Sequence, residues 1–255
     1  MPHVPNSVLV KVERANHHIA DLNTAIDVFL KSGPYKTTGE IDHQGRPTYR
    51  VSNVQPVDPM IPAIAGDAIQ NLRTSLDYLA CALWLRTNAG STCKVYFPIT
   101  ETAARYRSEG LGKIKGMGKD AIDAISAIEP YGGGKGDALW RLHCLSIIDK
   151  HRLPITIAGA NMGIHLPSLY PELFPADAKA NPWILCVTDM RFSLKDNDIL
   201  FRDDPGRELK QDLHFPFFVA LDEFGVFERQ PLIPTLQNLR DCVNGVVSGC
   251  APLFG

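Results

Sequence analysis

The sequence has no apolar run approaching the ~20 residues that a membrane span requires. Its start, MPHVPNSV, lacks the basic stretch followed by an apolar one that marks an export signal. No membrane association is therefore expected, and a cytoplasmic location is. An excess of charge of one sign is missing too: 26 Lys and Arg stand against 28 Asp and Glu, a formal net charge of −2. Nothing global draws such a chain to nucleic acid or to an anionic membrane, although a local basic patch is compatible with that average. The six cysteines, at 81, 93, 144, 186, 242 and 250, form neither a CxxC nor a Cys/His metal spacing. Most stand inside apolar runs, which predicts reduced thiols in the core. GxSxG, HExxH and a GKS/T-ended phosphate loop are all absent, so the motifs name no cofactor and no metal. The glycines at 110, 112, 116 and 118 lack a preceding strand and are expected to be flexible linkage. The run TyrGlyGlyGlyLysGly at 131–136 is expected to be a mobile loop, able to act as a lid if it lies beside a site. Repeats and low-complexity tracts are missing as well.

What is present is centred on Gly66–Trp84, GDAIQNLRTSLDYLACALW, which holds no Lys and no Glu. At about 100° per residue on a helix, Leu72, Leu76, Leu79 and Leu83 share one stripe, with Ala68 and Ile69 beside it. Asp67, Asn71, Thr74 and Tyr78 form a second stripe, and Gln70, Arg73 and Asp77 a third. A solvated face is normally rich in Lys and Glu, so these polar stripes predict either a hydrogen-bond network against other helices or a functional site.

Around this helix, Ser7–Lys31 carries Val8, Val12, Ala15, Ile19, Leu22 and Ile26 at helical spacing, with Ser7 as N-cap and SGP as stop. Glu13 and His17, four apart, are expected to be a surface pair rather than metal ligands, and His18 a packed or capping histidine. Residues 35–54 alternate about HQGR as a β-hairpin, and Pro56, Pro59 and Pro62 stiffen the connector. Helices are expected near 101–108 and 119–129. Another, capped by Asp137 and ended before Pro154, is apolar almost all round and so predicted to be buried. Its last turn is DKHR; cations suit a helix C-terminus, but Asp149 does not and should pair with an Arg or Lys from another element. From 153 to 222 the pattern is β: 153–158, 183–188, a hairpin RFSL–KDND–ILFR at 191–202, and 214–221, together an antiparallel meander. Residues 231–250 return to helical period. The fold class expected is therefore α+β: one domain over 1–255, a bundle of about four helices (7–31, 61–87, 137–152 and 231–250) with β segments at 35–54 and 153–222. With 45% apolar residues, 255 residues suffice for such a core.

With GD-x-x-x-NLR-x-x-LD-x-LA at 66–80 and L-x-x-x-DKHR at 145–152, the chain resembles an uncharacterised family of bacterial proteins. RA-x-x-HI at 14–19, FPI at 97–99 and EPY at 129–131 are further marks of that resemblance, which covers roughly the first 160 residues. More remotely, a helix in which Arg is followed after four residues by His is similar to the Arg-x4–6-His motif of HEPN-type helical ribonucleases. Arg73 keeps the first position, and Tyr78 stands where the His would be.

Three functions follow as expectations. The HEPN resemblance implies an RNA-processing or RNA-binding protein: Arg73 would stabilise phosphate charge, Asn71 and Tyr78 would position the ribose, and His151 would move the proton, with the site shared across a homodimer. The polar groups alone suggest a small-molecule hydrolase of esters, amides or lactones, with Asp67, Asn71, Asp149 and His151 activating water between two buried helices. The third is a non-catalytic interaction module using the same face. The candidate catalytic residues are His151, Arg73 and Asp149, and the candidate substrate-binding residues are Asp67, Asn71, Asp77 and Tyr78.

Overall fold

The computed structural model describes residues 4–154, 156–165, 185–210, 215 and 217–255. Of the expected strands, residues 155, 183, 184, 214 and 216 lie outside these. The α+β class is observed, a helical core carrying two antiparallel sheets.

Helix α1 (Asn6–Lys31) buries Val8, Val12, Ala15, Ile19, Leu22 and Ile26, the predicted stripe. It begins one residue before Ser7, with Pro5 at the cap position and no side-chain cap, and Gly33 ends it at φ 72°. Helix α2 (Met60–Leu85) carries Ile69, Leu72, Leu76, Leu79 and Leu83 fully enclosed. Pro62 is tolerated in its first turn because those N–H groups have no intrahelical acceptor. Three helices pack around α2: α1, α5 (Asp137–His151) and α6 (Leu232–Cys250). Each enclosed leucine contributes about 2 kcal/mol or more to the fold, which makes α2 the centre of the molecule.

Between α2 and α5 the chain runs through α3 (Ala103–Arg105), a π turn (Tyr106–Gly110), a 3-10 turn (Leu111–Ile114) and α4 (Lys119–Ile128). The segment expected to be flexible linkage, 110–118, is thus in helical turns as far as Ile114. Gly110 sits where a Cβ would stand 3.0 Å from the Tyr106 ring, and Trp84 Nε1 and Asn88 Nδ2 donate to the carbonyls of Lys115 and Gly116 at 3.2 and 2.8 Å. Gly110 allows close packing here, whereas a Cβ at Gly112 would meet nothing within 4 Å. The 131–136 run is likewise held: the N–H of Gly133 donates to Asp137 Oδ1, that of Lys135 to Glu129 Oε2, and those of Gly134 and Gly136 to the carbonyls of Tyr131 and Glu129. Asp137, the expected cap of α5, is its first residue instead and serves this loop.

The expected burial of α5 on all sides is also corrected. Leu139, Leu142, Leu145 and Ser146 are buried, but Ile147 is 43% exposed and Cys144 half-buried, so the helix is an outer one. Its apolar residues serve two surfaces, the core and a cleft.

Strands β1 (Lys36–Ile41) and β2 (Pro47–Ser52) form the predicted hairpin, closed by Gly45 at φ 74° and by Asp42 Oδ1 accepting from the N–H groups of Gln44 and Arg46. The remaining strands are β3 (Thr156–His165), β4 (Leu185–Phe192), β5 (Ile199–Arg202), β6 (Phe217–Glu223) and β7 (Phe227–Pro231). The 191–202 hairpin does not form. β4 pairs with β3, in the order β4-β3-β6-β7, whereas β5 crosses to β2 and completes β1-β2-β5. The KDND turn makes that crossing by bonding to β2: Val51 exchanges backbone bonds with Asp198 and Asn197, and Asp196 Oδ1 accepts from Val54 N. Tyr49, Val51, Leu194, Leu200 and Phe215 then pack as a second, smaller core. β-structure also continues past 222, through β7.

Candidate functional site

The third stripe of α2 faces inward, and every member of it is engaged. Gln70 Nε2 donates to the Ser146 carbonyl at 2.7 Å and to Asp149 Oδ2 at 2.9 Å, and its Oε1 accepts from Ser146 Oγ at 3.0 Å. One turn on, Arg73 is 8% exposed, donates through Nε to His143 Nδ1 at 3.2 Å, and lies 2.7 Å from Asp77 Oδ1 through Nη1. That last contact is off the N–H direction, so it is an ion pair and leaves Nη1 without a hydrogen bond. Asp77 Oδ1 also accepts from the Phe97 N–H at 2.9 Å, and Arg73 Nη2 reaches the Phe97 carbonyl at 3.5 Å. The FPI and EPY segments then meet, as Thr100 N donates to the Pro130 carbonyl at 3.1 Å. Hydrogen bonds thus link four of the five sequence marks.

The partner of Asp149 differs from expectation. Among the described residues no cation pairs with it; its neighbours are the Gln70 amide and the backbone at Gly66, where a Cβ would stand 2.0 Å from Oδ1. The missing side chain of Gly66 makes the room that the carboxylate occupies. The DKHR cation that does pair is Arg152, which forks onto Glu223, itself 2% exposed, at 2.8 and 2.7 Å and so ties α5 to β6.

The second stripe faces elsewhere. Asp67 and Tyr78 are exposed and Asn71 half-buried, with Lys11 of α1 donating to Asn71 Oδ1 at 3.3 Å and lying 6.0 Å above the Tyr78 ring. His151 is exposed and stands eight residues beyond His143, about 12 Å along α5. The expected convergence of Asp67, Asn71, Asp149 and His151 is therefore not formed. The histidine that meets Arg73 is His143, which the sequence offered only as one polar residue in an apolar run.

His143 opens onto a cleft of about 340 Å³, walled by Ile99, Trp140, Cys144 and Ile147 and edged by Lys113, Arg105, Glu101 and Glu109. Arg73 lies behind this wall. Burial, reinforced by Arg73, Lys113 and Lys150, pushes the His143 pKa down to about 4. The ring is therefore neutral at pH 7. Because Nδ1 accepts from a permanently charged guanidinium, the proton must sit on Nε2, and the ring offers the cleft a donor. Lys113 Nζ donates to the Ile99 carbonyl at 3.1 Å, and among the described residues no carboxylate pairs with it. Its pKa is lowered by burial and then by Arg73, against the opposing pull of Asp77 and Glu109. Arg105 is committed to Glu101 and Glu109 at 3.4 and 3.3 Å. The Cys144 pKa is raised by burial and by Glu101, which favours the neutral thiol.

The cysteines correct the expectation of core thiols. Cys250 is buried, Cys81 and Cys144 are half-buried, and Cys93 and Cys242 are exposed; these five are free, and the side chain of Cys186 lies outside the described residues. Among the described residues no cluster of three metal-ligating side chains occurs, and no helix is long and apolar enough to cross a membrane. No protein-family model, curated protein or solved structure matches the chain.

Proposed function

We propose that the protein binds a small organic anion in the cleft beside α5. One observation carries this: a half-buried cation, Lys113, in no ion pair among the described residues, and a histidine held neutral as a donor, His143, edge the same small apolar-walled cleft. Perturbed titratable groups gathered in one cleft are the usual mark of a site, and a few hundred Å³ suits a small ligand rather than a polymer. An RNA-processing protein would need Arg73 to reach a phosphodiester, whereas Arg73 is 8% exposed and its guanidinium is turned to His143, Asp77 and Phe97. The hydrolase expectation keeps one supporting feature, since an Nε2–H donor can stabilise a developing oxyanion. In that case His143 would not itself take the proton from water. Calorimetry of the pure protein with small carboxylates, phosphate esters and a short RNA tests the proposal, alongside turnover assays on esters, amides and lactones. Binding of an anion that is lost in Lys113→Gln supports it; RNA binding that survives Lys113→Gln and His143→Gln refutes it.

A further inference from the structure

On the reading of the cleft as an anion site, we infer that it selects a monocarboxylate carrying an aromatic or branched apolar body over a phosphate ester of the same body. The count of donors decides the headgroup. Lys113 Nζ and the His143 Nε2–H are two donors, which match the two oxygens of a carboxylate. A phosphate dianion presents three oxygens and is normally held by several N–H groups or by an arginine fork. Neither arginine near this cleft is available for that: Arg105 already faces Glu101 and Glu109, and Arg73 is spent behind the wall. The loop at 131–136, which packs on Trp140 at Gly132, turns the N–H groups of Gly133, Gly134, Lys135 and Gly136 onto Asp137, Tyr131 and Glu129. Glu101 and Glu109 at the edge would moreover repel a second negative charge more than a first.

The body of the ligand follows from the opposite wall. Ile99, Ile147 and the Trp140 ring present apolar surface, and Trp140 is fixed from behind because Gly132 has no side chain: a Cβ there would stand 3.3 Å from the indole. A ring so held can stack on a flat ligand with little loss of side-chain freedom.

The test uses four probes in calorimetry: phenylacetate, phenyl phosphate, benzyl alcohol and acetate. Phenylacetate should bind at least tenfold more tightly than each of the other three. Lys113→Gln, which keeps a donor for the Ile99 carbonyl but loses the charge, should weaken phenylacetate at least tenfold with an unchanged melting temperature. Trp140→Leu should narrow the gap between phenylacetate and acetate, and Trp140→Phe should restore it. Phenyl phosphate binding as tightly as phenylacetate overturns the selectivity and leaves the anion site standing. Benzyl alcohol binding as tightly as phenylacetate overturns the anion site itself, and silence from all four overturns both.

Discussion

Replacing Gly66 by Ala should have opposite effects depending on whether Asp149 is present. A Cβ at position 66 would lie 2.0 Å from Asp149 Oδ1 and 2.8 Å from its Cγ, and the next nearest atom is again Asp149, so the carboxylate is what it meets. The carboxylate must retreat by more than 1 Å, which breaks its 2.9 Å bond to Gln70 Nε2. Losing that bond costs about 1–2 kcal/mol because a half-buried amide is left short of a partner. Against this, Ala in a helix interior is favoured over Gly by about 1 kcal/mol. Gly66→Ala alone should therefore be close to neutral or destabilising by up to about 1 kcal/mol, whereas in an Asp149→Ala background it should stabilise by about 1 kcal/mol. The coupling between the two sites is then about 1–2 kcal/mol. Urea denaturation of the four proteins in the cycle measures it, and melting curves should move by roughly 2–4 °C per kcal/mol for a chain of this size. Equal effects of Gly66→Ala in both backgrounds would show that Asp149 does not occupy the space left by the glycine.

Three further outcomes are expected. Arg152→Ala leaves Glu223, 2% exposed, without its forked partner and should destabilise the protein by about 2–3 kcal/mol in urea denaturation, with Arg152→Lys recovering only part; a loss under about 0.5 kcal/mol contradicts this ion pair as the tie between α5 and β6. The His143 pKa of about 4 lies below its unfolded value of about 6.5, so the unfolded state takes up the proton first, and stability should be complete above pH 6.5 and lost as pH falls toward 4; His143→Gln should flatten that slope, and equal slopes would refute it. In native protein Cys93 should react with a thiol reagent before Cys250, which is buried with its pKa pushed up to about 11; the reverse order in mass-mapped labelling would be inconsistent with the packing.

The four main helices and the 35–54 hairpin were legible because each rests on a local period. The α2 stripes were legible for the same reason: rotation by 100° per residue put Gln70, Arg73 and Asp77 together before any partner was known. Their partners were not legible. His143 and Ser146 are chosen by how α5 rolls against α2, and the roll is set by the fit of Leu139, Leu142 and Leu145 to the core, which a sequence period does not fix to one residue. Asp149 was read through its charge, as needing a cation, whereas a glycine 83 positions earlier made room for it and an amide satisfied it. The 191–202 hairpin failed for a related reason. Its turn residues suit a hairpin, and only the demand of Tyr49 and Val51 for cover from Leu200 sends β5 to the other sheet.

Closure of the core by α6 bears on how the chain can be made. Leu236, Leu239, Val243 and Val247 pack onto α1 and α2, which leave the ribosome far earlier, at a synthesis rate of about 5–20 residues per second. For about ten seconds or more the apolar stripes of the first two helices have no cover on that side. β1 and β2 wait almost as long for β5, some 150 residues downstream. A ribosome stalled before residue 232 should therefore present a nascent chain with uncovered apolar helix faces, a species prone to aggregate.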